Sequence, residues 1–519
     1  MNMKKNSFVF GMALLAIFNI LGKVFGAIYR IPLAKFLGPE GMGVYQLIFT
    51  IFALILTLTT TGIPVAVSKL TAEFDVSKKA SSKTLLLTAN IFVLSISLIA
   101  CLAVFLFADK FATFQGYPDA YFCYYAILPA ILLSGLISVF RGYFQGKLKM
   151  FPTAFSILVE QVVKLVMGLF LIKKLAYRGI NYATFGALLG ISASELVAFI
   201  VIFTIFLFSH KEKEKLKSKF EMGFKSIFKL LLKTSFPVTV SGIILPLSSV
   251  IQSFLVVKIL SKQMDISVAT GLLGIESGVV APLLNFPVAI AIALSTSLMP
   301  TLTSLIAKRE TDKVEKTILK AHKIVLSVSL VSAVCFAVFA GQIVDILFSK
   351  TLNVENFLIA VKLVSLSSIN IVFLSLIQVE TGILHAIGNM KFPAISLAIG
   401  TVVKLTLSAI LLSLPSINIM GIIIAEIIAF LLIFILDYYM VKKYTKFRIF
   451  SVYKSVVIQA ALIALISFIS NKMFIEIFSE KIAFMLAGGI VVLIYIISYY
   501  LMFIREKRTS VLVMKELKN

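Results

Sequence analysis

The chain contains 519 residues, of which 60% are hydrophobic and only 14% are charged. This composition excludes an ordinary soluble globular protein and indicates a polytopic membrane protein. The net charge of +25 is compatible with nucleic-acid binding or with membrane topology, and the positions of the basic residues distinguish the two.

Apolar runs of about 20 residues, the length that a helix needs to cross a bilayer core, recur along the whole chain. In chain order we predict fourteen membrane helices, at residues 7–29, 43–66, 84–107, 120–141, 152–172, 182–208, 234–257, 277–301, 324–348, 357–384, 393–414, 417–440, 452–471 and 482–504. The first run is too long for a cleavable signal peptide, and no small-residue cleavage site follows it before Lys23 and Arg30. We therefore expect it to remain as a helix, and we predict an all-α polytopic membrane protein.

Most of the lysines and arginines fall in alternate connections, a set that includes both termini. This bias predicts that the N- and C-termini are both cytoplasmic. Topology and contact with anionic membrane lipids then explain the basic charge, so we expect no nucleic-acid partner. By this map His210, His322 and His385 lie at cytoplasmic helix ends, without metal-ligand spacing, and we expect no metal site.

Two stretches in the first half of the chain recur in the second half. The segment GYFQGKLKMFPTAFSILVEQVVKLVMGLFLI at 142–172 matches GILHAIGNMKFPAISLAIGTVVKLTLSAILL at 382–412 in its glycine, its Phe-Pro and its VVKL, with a slip of one residue. GISASELVAFIVIF at 190–203 likewise matches GIIIAEIIAFLLIF at 421–434. Predicted helices 1–6 and 7–12 are therefore two copies with the same orientation in the membrane, as in a parallel repeat.

The repeat divides the chain into two predicted six-helix lobes. We expect an N-lobe at 1–209, a basic cytoplasmic linker at 210–233, a C-lobe at 234–445, and helices 13–14 with a basic cytoplasmic tail at 446–519. No connection is long enough for a catalytic domain outside the membrane, so we do not expect an enzyme.

Ionisable residues inside predicted helices are candidate functional residues, because each costs about 2.5–3.5 kcal/mol if it faces lipid. Four of them lie near the middle of their helices: Lys164, Glu195, Lys404 and Glu426. The repeat pairs them, and we infer a Lys–Glu contact between helices in each lobe. Glu160 precedes Lys164 by four residues, which favours a same-helix pair, and Gly400 replaces Glu160 in the second copy. The pairs either fix the packing of each lobe or bind a substrate or coupling ion. Glu160 occurs in only one of the two copies, which makes it a better site candidate than the duplicated Lys–Glu pairs.

Lys23 and Arg30 pose a different problem. Seven residues is nearly two helical turns, so both cations project from one face of the first helix, which carries no acidic residue. They either face inward and bind an anion or reach the membrane surface with their long side chains.

Three strings carry a family resemblance: GKVFGAIYRIPLAKFLGPEGMGVYQLIF, TTTGIPVAVSKLTAEF and FRGYFQGKLKMFPTAFSILVEQVVK. They resemble the stage V sporulation protein B and polysaccharide-flippase branch of the multidrug/oligosaccharidyl-lipid/polysaccharide (MOP) exporter superfamily, over nearly the whole chain. The same superfamily includes the MurJ-type lipid II flippases and the MATE multidrug exporters.

The resemblance implies a MATE/MurJ-like fold of two six-helix lobes and two further helices, working by alternating access. It also implies export of an undecaprenyl-diphosphate-linked saccharide, such as lipid II or a related cell-wall precursor. In MurJ-type flippases, first-helix cations face the lipid diphosphate. Lys23 aligns with one of those arginines, whereas a second falls on Tyr29, with Arg30 next to it.

Two other functions stay open. A cation-coupled multidrug exporter of the same fold would need acidic or aromatic cavity residues, and the first helix has the opposite sign of charge. A non-transporting scaffold for cell-wall synthesis enzymes would depend on the cytoplasmic segment 210–229. We expect no cofactor, and sodium ions, protons and the membrane potential are all candidate driving forces. The sugar carried and a sporulation or vegetative role stay open.

Overall fold

A computed structural model describes residues 2–77, 81–209, 222–349, 351–444 and 450–516. Within these ranges the side chains are described except at 2–17, 19, 20, 23, 24, 27, 82, 450–452, 454 and 501–516.

Every regular element of the described residues is helical. In chain order the α-helices are α1 (Asn2–Thr60), α2 (Gly62–Ser77), α3 (Ser82–Phe114), α4 (Leu128–Gly146), α5 (Met150–Leu175), α6 (Ile180–Ser209), α7 (Phe224–Leu260), α8 (Ile266–Ile275), α9 (Ala281–Ala307), α10 (Thr311–Val338), α11 (Ala340–Phe348), α12 (Val354–Ile387), α13 (Lys391–Leu412), α14 (Met420–Tyr444), α15 (Phe450–Ile477) and α16 (Glu480–Glu516). Two short 3-10 helices precede α4 and α6, at Pro118–Ile127 and Ala176–Arg178, and a π-helical segment, Glu276–Val280, joins α8 to α9.

The structure confirms the predicted fold class, an all-α protein with many helices of membrane-spanning length. Each of the fourteen predicted runs lies on one helix or on two consecutive ones. By length and composition, thirteen spans in the described residues are able to cross a membrane, the first of them starting at Ile28. The protein is therefore an all-α multi-pass membrane protein. One predicted boundary changes the argument below, because α4 continues past Arg141 to Gly146.

Helix α1 contains a sharp break that replaces a loop between the first two predicted spans. Gly38 has φ 66° and ψ −177°, a backbone conformation that is essentially restricted to glycine. Pro39 follows and lacks the N–H that a continuous helix would use. Gly38 is thus a non-helical residue between two helical segments of α1, and the residue pair Gly38-Pro39 explains why the chain changes direction here.

The helices group into two compact units. Unit 1 comprises Met1–Pro282 and Leu397–Ala425, and unit 2 comprises Leu283–Ser396 and Glu426–Asn519. In unit 1, α1 packs against α5, α7 and α8, and α5 packs closely against α6. In unit 2, α10 packs against α12 and α15, and α15 packs against α16. The lobe, linker and tail boundaries that the sequence repeat suggests stay a prediction, and part of that linker, 210–221, lies outside the described residues.

Two glycines set the distance between α5 and α6. A Cβ atom at Gly190 would overlap the backbone of Gly168, so only glycine permits this approach. Such small-residue contacts are a main source of helix association in membranes, where burial of apolar surface gives no advantage over lipid. The same close packing brings the charged residues of the two helices together.

We expect Gly190→Ala to lower the free energy of unfolding by about 1–3 kcal/mol, because backbone atoms cannot move aside for the new methyl group. Thermal unfolding of the detergent-purified protein measures this effect. The matched control is Gly489→Ala in α16, where a Cβ would meet nothing within 4 Å and should cause no loss. Equal stability of Gly190→Ala and wild type would contradict the close contact.

Candidate functional site

Arg30 lies in α1 and is half-buried in unit 1. Its Nη1 donates a hydrogen bond to the Ser277 carbonyl oxygen at 2.8 Å, and its guanidinium lies 5.6 Å from the centre of the Phe49 ring. Ser277 belongs to the π-helical segment Glu276–Val280, where the hydrogen-bond ladder departs from the α-helical pattern. Both partners of Arg30 are uncharged, and no carboxylate of the described residues lies within 4 Å of it.

The neighbouring Tyr29 faces a different helix. Its side chain is 3% exposed, and its ring packs against Gly168 of α5, where a Cβ would meet the hydroxyl oxygen at 2.5 Å. The position that aligns with a family arginine is therefore buried between α1 and α5, whereas Arg30 turns toward Ser277 and Phe49. Lys23, the other predicted cation of this helix, lies outside the residues whose side chains the structure describes.

Glu160 forms its direct ion pair with Arg141 of α4. Arg141 Nη2 lies 2.9 Å from Glu160 Oε2, and the two side chains are 19% and 15% exposed. Arg141 Nε also donates to Ser156 Oγ at 3.0 Å, and Gln161 Nε2 donates to Glu160 Oε1 at 3.0 Å. The pair therefore links α4 to α5, whereas the sequence favoured a same-helix partner for Glu160.

Lys164 and Glu195 extend this pair into a wider network. Lys164 interacts electrostatically with Glu160 and Glu195, and it is repelled by Arg30. Glu195 is 7% exposed in α6 and interacts with Glu160, Arg141 and Lys164. We call these five side chains the unit 1 charge cluster. Counted formally, three cations and two carboxylates give it a net charge of +1, in helices that are apolar enough to span a membrane.

Lys164 and Glu195, for which the sequence predicted a contact, attract each other electrostatically without a direct salt bridge. Within the described residues neither side chain forms a salt bridge within 4 Å. The two residues face the same network from α5 and α6. A structural role in packing and a role in binding are both compatible with this arrangement.

The two ionisable residues of the second copy of the repeat belong to different units. Lys404 falls in unit 1 and Glu426 in unit 2, so their inferred contact stays a prediction. Within unit 2, Asn370 Nδ2 donates a hydrogen bond to Glu426 Oε2 at 3.5 Å. Asn370 lies on α12, which the sequence analysis did not connect with Glu426.

Arg141 is the member of the cluster that sequence reasoning missed. The prediction ended the fourth membrane helix at residue 141 and did not name the arginine as a candidate functional residue. The signal was present in RGYFQG, 141–146, which contains no proline and continues the helix for more than one turn. A continued helix keeps Arg141 at membrane depth, where it needs a partner such as Glu160.

The fold defines the class of protein. The chain superimposes on the solved structure of the lipid II flippase MurJ in an inward closed conformation with a TM-score of 0.73, covering 95% of this chain and 99% of that one at 17% identity. This likeness shows a shared fold. The molecule is therefore a multi-pass helical protein with the architecture of the MOP exporters, which confirms the MATE/MurJ-like prediction.

Sequence comparisons give the family. The family model described as polysaccharide biosynthesis protein matches residues 8–306, and the MatE model matches 237–410. Because the first match covers more than half of the chain, the protein belongs to the polysaccharide biosynthesis protein family, within the superfamily that the sequence strings predicted.

Two relatives from Bacillus subtilis (strain 168) align over most of the chain. Stage V sporulation protein B is 29% identical over 501 residues, 94% of this chain and 93% of that protein. The lipid II flippase MurJ is 26% identical over 482 residues, 88% and 86% of the two chains. The protein is thus a membrane flippase or transporter of the MOP superfamily, related to both.

Proposed function

We propose that the protein exports an undecaprenyl-diphosphate-linked saccharide, lipid II or a related cell-wall polysaccharide precursor, from the inner to the outer leaflet by alternating access. The observation that carries this proposal is Arg30, a half-buried cation whose direct partners are neutral and which gives the unit 1 charge cluster its net positive charge. The proposed location is the bacterial cell membrane, with both termini in the cytoplasm. Anionic lipids would contact the basic connections, and cell-wall synthesis enzymes are candidate partners.

The chemistry of a diphosphate suits this site. Moving its negative charges into a low-dielectric environment is costly unless fixed cations replace the lost hydration. A guanidinium has five N–H donors in a planar fork that matches phosphate oxygens, and Arg30 uses one nitrogen for Ser277 in the described residues. The polyprenyl chain could stay in the lipid. The relationship to MurJ, which is named a lipid II flippase, supports a lipid-linked substrate.

A multidrug exporter is the second candidate, because the MatE model matches residues 237–410. A cationic drug would require a net negative site, whereas the unit 1 charge cluster is net positive. Expression of the protein would then raise resistance to cationic dyes. We expect no such increase.

Complementation tests the proposal directly. In a bacterium depleted of its lipid II flippase, we expect wild type to restore growth and Arg30→Ala to fail at equal membrane abundance. Lys23→Ala, which replaces the other first-helix cation, should fail in the same way. The matched control is Arg178→Ala. Arg178 is exposed, lies near the rings of Tyr177 and Tyr182, and donates a hydrogen bond to the Tyr177 hydroxyl, so its loss should not prevent rescue.

Each outcome separates the candidates. Rescue by every variant would remove the role of the cations and favour side chains that reach the membrane surface. Failure of well-expressed wild type would exclude lipid II as the substrate. Retention of rescue in Arg30→Ala and Lys23→Ala, with loss on deletion of 210–229, would favour the scaffold.

A further inference from the structure

A second group of titratable side chains lies inside unit 2. His322 of α10 and Glu380 of α12 are both fully buried, and His322 Nε2 lies 3.0 Å from Glu380 Oε1. The other ring nitrogen, Nδ1, lies 3.0 Å from the Ile318 carbonyl oxygen. Because a carbonyl oxygen only accepts, Nδ1 carries a hydrogen and donates it to Ile318. The contact between Nε2 and Glu380 then holds one more proton, on the ring or on the carboxyl group.

A similar contact involves Asp437 of α14. Ser396 Oγ lies 2.5 Å from Asp437 Oδ1 and 3.1 Å from the Pro393 carbonyl oxygen, and all of Asp437 is buried. The hydroxyl group of Ser396 has a single hydrogen and cannot serve both acceptors fully. If it donates to Pro393, the short contact to Asp437 requires a proton on the carboxyl group.

The same region contains three buried oxygen atoms that have no hydrogen-bond partner in the described residues: Glu380 Oε2, Asp437 Oδ2 and the Tyr453 hydroxyl. Asp437 and Tyr453 both interact electrostatically with Glu380, so these side chains belong to one group. The titratable groups that face it are His322 from α10, Glu380 from α12, Asp437 from α14 and Tyr453 from α15, with Tyr438 of α14 interacting with Tyr453. A buried carboxylate oxygen without a partner is costly, and a proton on the carboxyl group reduces that cost.

We propose that His322, Glu380 and Asp437 form a proton-binding site inside unit 2 whose loading and release couple to transport. With both carboxylates ionised, even a charged imidazole would leave a net charge of −1 in a buried membrane environment, which is strongly unfavourable. One bound proton makes the group neutral. The contact between His322 and Glu380 already shares a proton, which favours a proton over a metal cation as the ligand.

The group lies near one end of the helices that carry its two carboxyl groups. Glu380 and Asp437 each lie seven residues before the end of their helices, at Ile387 and Tyr444, which corresponds to about 10 Å along a helix. The predicted topology places these ends on the cytoplasmic side. Proton exchange would therefore occur with the cytoplasm. The coupling part of this inference rests on the proposed transport function, whereas proton binding does not.

Infrared difference spectroscopy of the purified, lipid-reconstituted chain tests proton binding without a substrate. Between about pH 5 and about pH 9, where ordinary exposed carboxyl groups are already ionised or nearly so, wild type should lose a band from a buried protonated carboxyl group. Asp437→Asn and Glu380→Gln should each remove or shift that band. The matched control is Glu355→Gln, an exposed carboxylate at the other end of α12, which should leave it unchanged.

The titration of wild type needs no variant, so a folding defect cannot hide a negative result. Absence of the band in wild type would overturn the proposal. Persistence of the band in both Asp437→Asn and Glu380→Gln would overturn it as well. A spectrum that responds to sodium at constant pH, and not to pH, would assign a cation site instead.

Coupling is measured in the complemented strain. Rescue by wild type should change with the imposed pH gradient, and rescue by Asp437→Asn should lose that dependence. A titrating band in a wild-type protein that does not rescue would reject the proposed substrate and keep the proton site. Rescue without the band would reject the proton site alone.

Discussion

Arg141→Met is expected to lower the free energy of unfolding by about 3 kcal/mol, because it leaves Glu160 without its ion-pair partner inside the membrane helices. The double variant Arg141→Met/Glu160→Met should recover most of this loss. It removes both charges of the direct pair and leaves Glu195 with the attraction of Lys164. Unfolding in mixed detergent micelles measures the three stabilities.

The bridge between Lys147 and Asp75 provides the matched control for that cycle. Its atoms lie 2.6 Å apart, but its side chains are 21% and 37% exposed, so water already screens the pair. We expect Asp75→Asn to cost about 1 kcal/mol or less. If Arg141→Met cost no more than this control, the charge cluster would not be the buried network described above.

The second large effect concerns Arg30 and the binding of a diphosphate. We expect Arg30→Ala to weaken binding of a short polyprenyl diphosphate by about 10–100-fold, the loss of one charge-assisted contact. The affinity of Arg30→Lys should lie between those of wild type and Arg30→Ala, because lysine keeps the positive charge and lacks the planar guanidinium. Thermophoresis of the purified protein measures the affinity. The corresponding polyprenyl alcohol, which carries no charge, is the control ligand.

Tyr29→Phe is the neighbouring control for this measurement. The Tyr29 hydroxyl has no hydrogen-bond partner in the described residues, and its ring lies against Gly168 of α5. Its removal should leave diphosphate affinity unchanged. Equal affinity of wild type and Arg30→Ala would show that Arg30 does not contact the diphosphate.

The sequence predicted the membrane helices well because insertion into a bilayer depends mainly on the composition of each segment. Fourteen apolar runs located the membrane-length helices of the described residues, although none of the runs covers the short helix α8. Three strings were enough to identify the superfamily. The boundaries were less certain. Gly38 and Pro39 break α1 without a loop, and α4 continues beyond Arg141, since neither feature changes average hydropathy.

The partners of the charged residues could not be predicted from the sequence. Composition alone established that Glu160, Lys164 and Glu195 lie in membrane helices and need compensation. It could not identify Arg141 as the direct partner of Glu160, because partners are determined by which helix faces meet. Arg30 likewise finds a backbone carbonyl oxygen at Ser277, made accessible by a π-helical segment that has no simple sequence signature.

The group around Glu380 is the clearest case. Reasoning from the sequence placed His322 at a cytoplasmic helix end and did not single out Glu380 or Asp437. The structure buries all three completely and places them in one group within unit 2. The sequence by itself determined which segments cross the membrane, since that free energy is local to each segment. Only the tertiary structure decided which buried charges face each other, since residues distant in the chain meet only when helices pack.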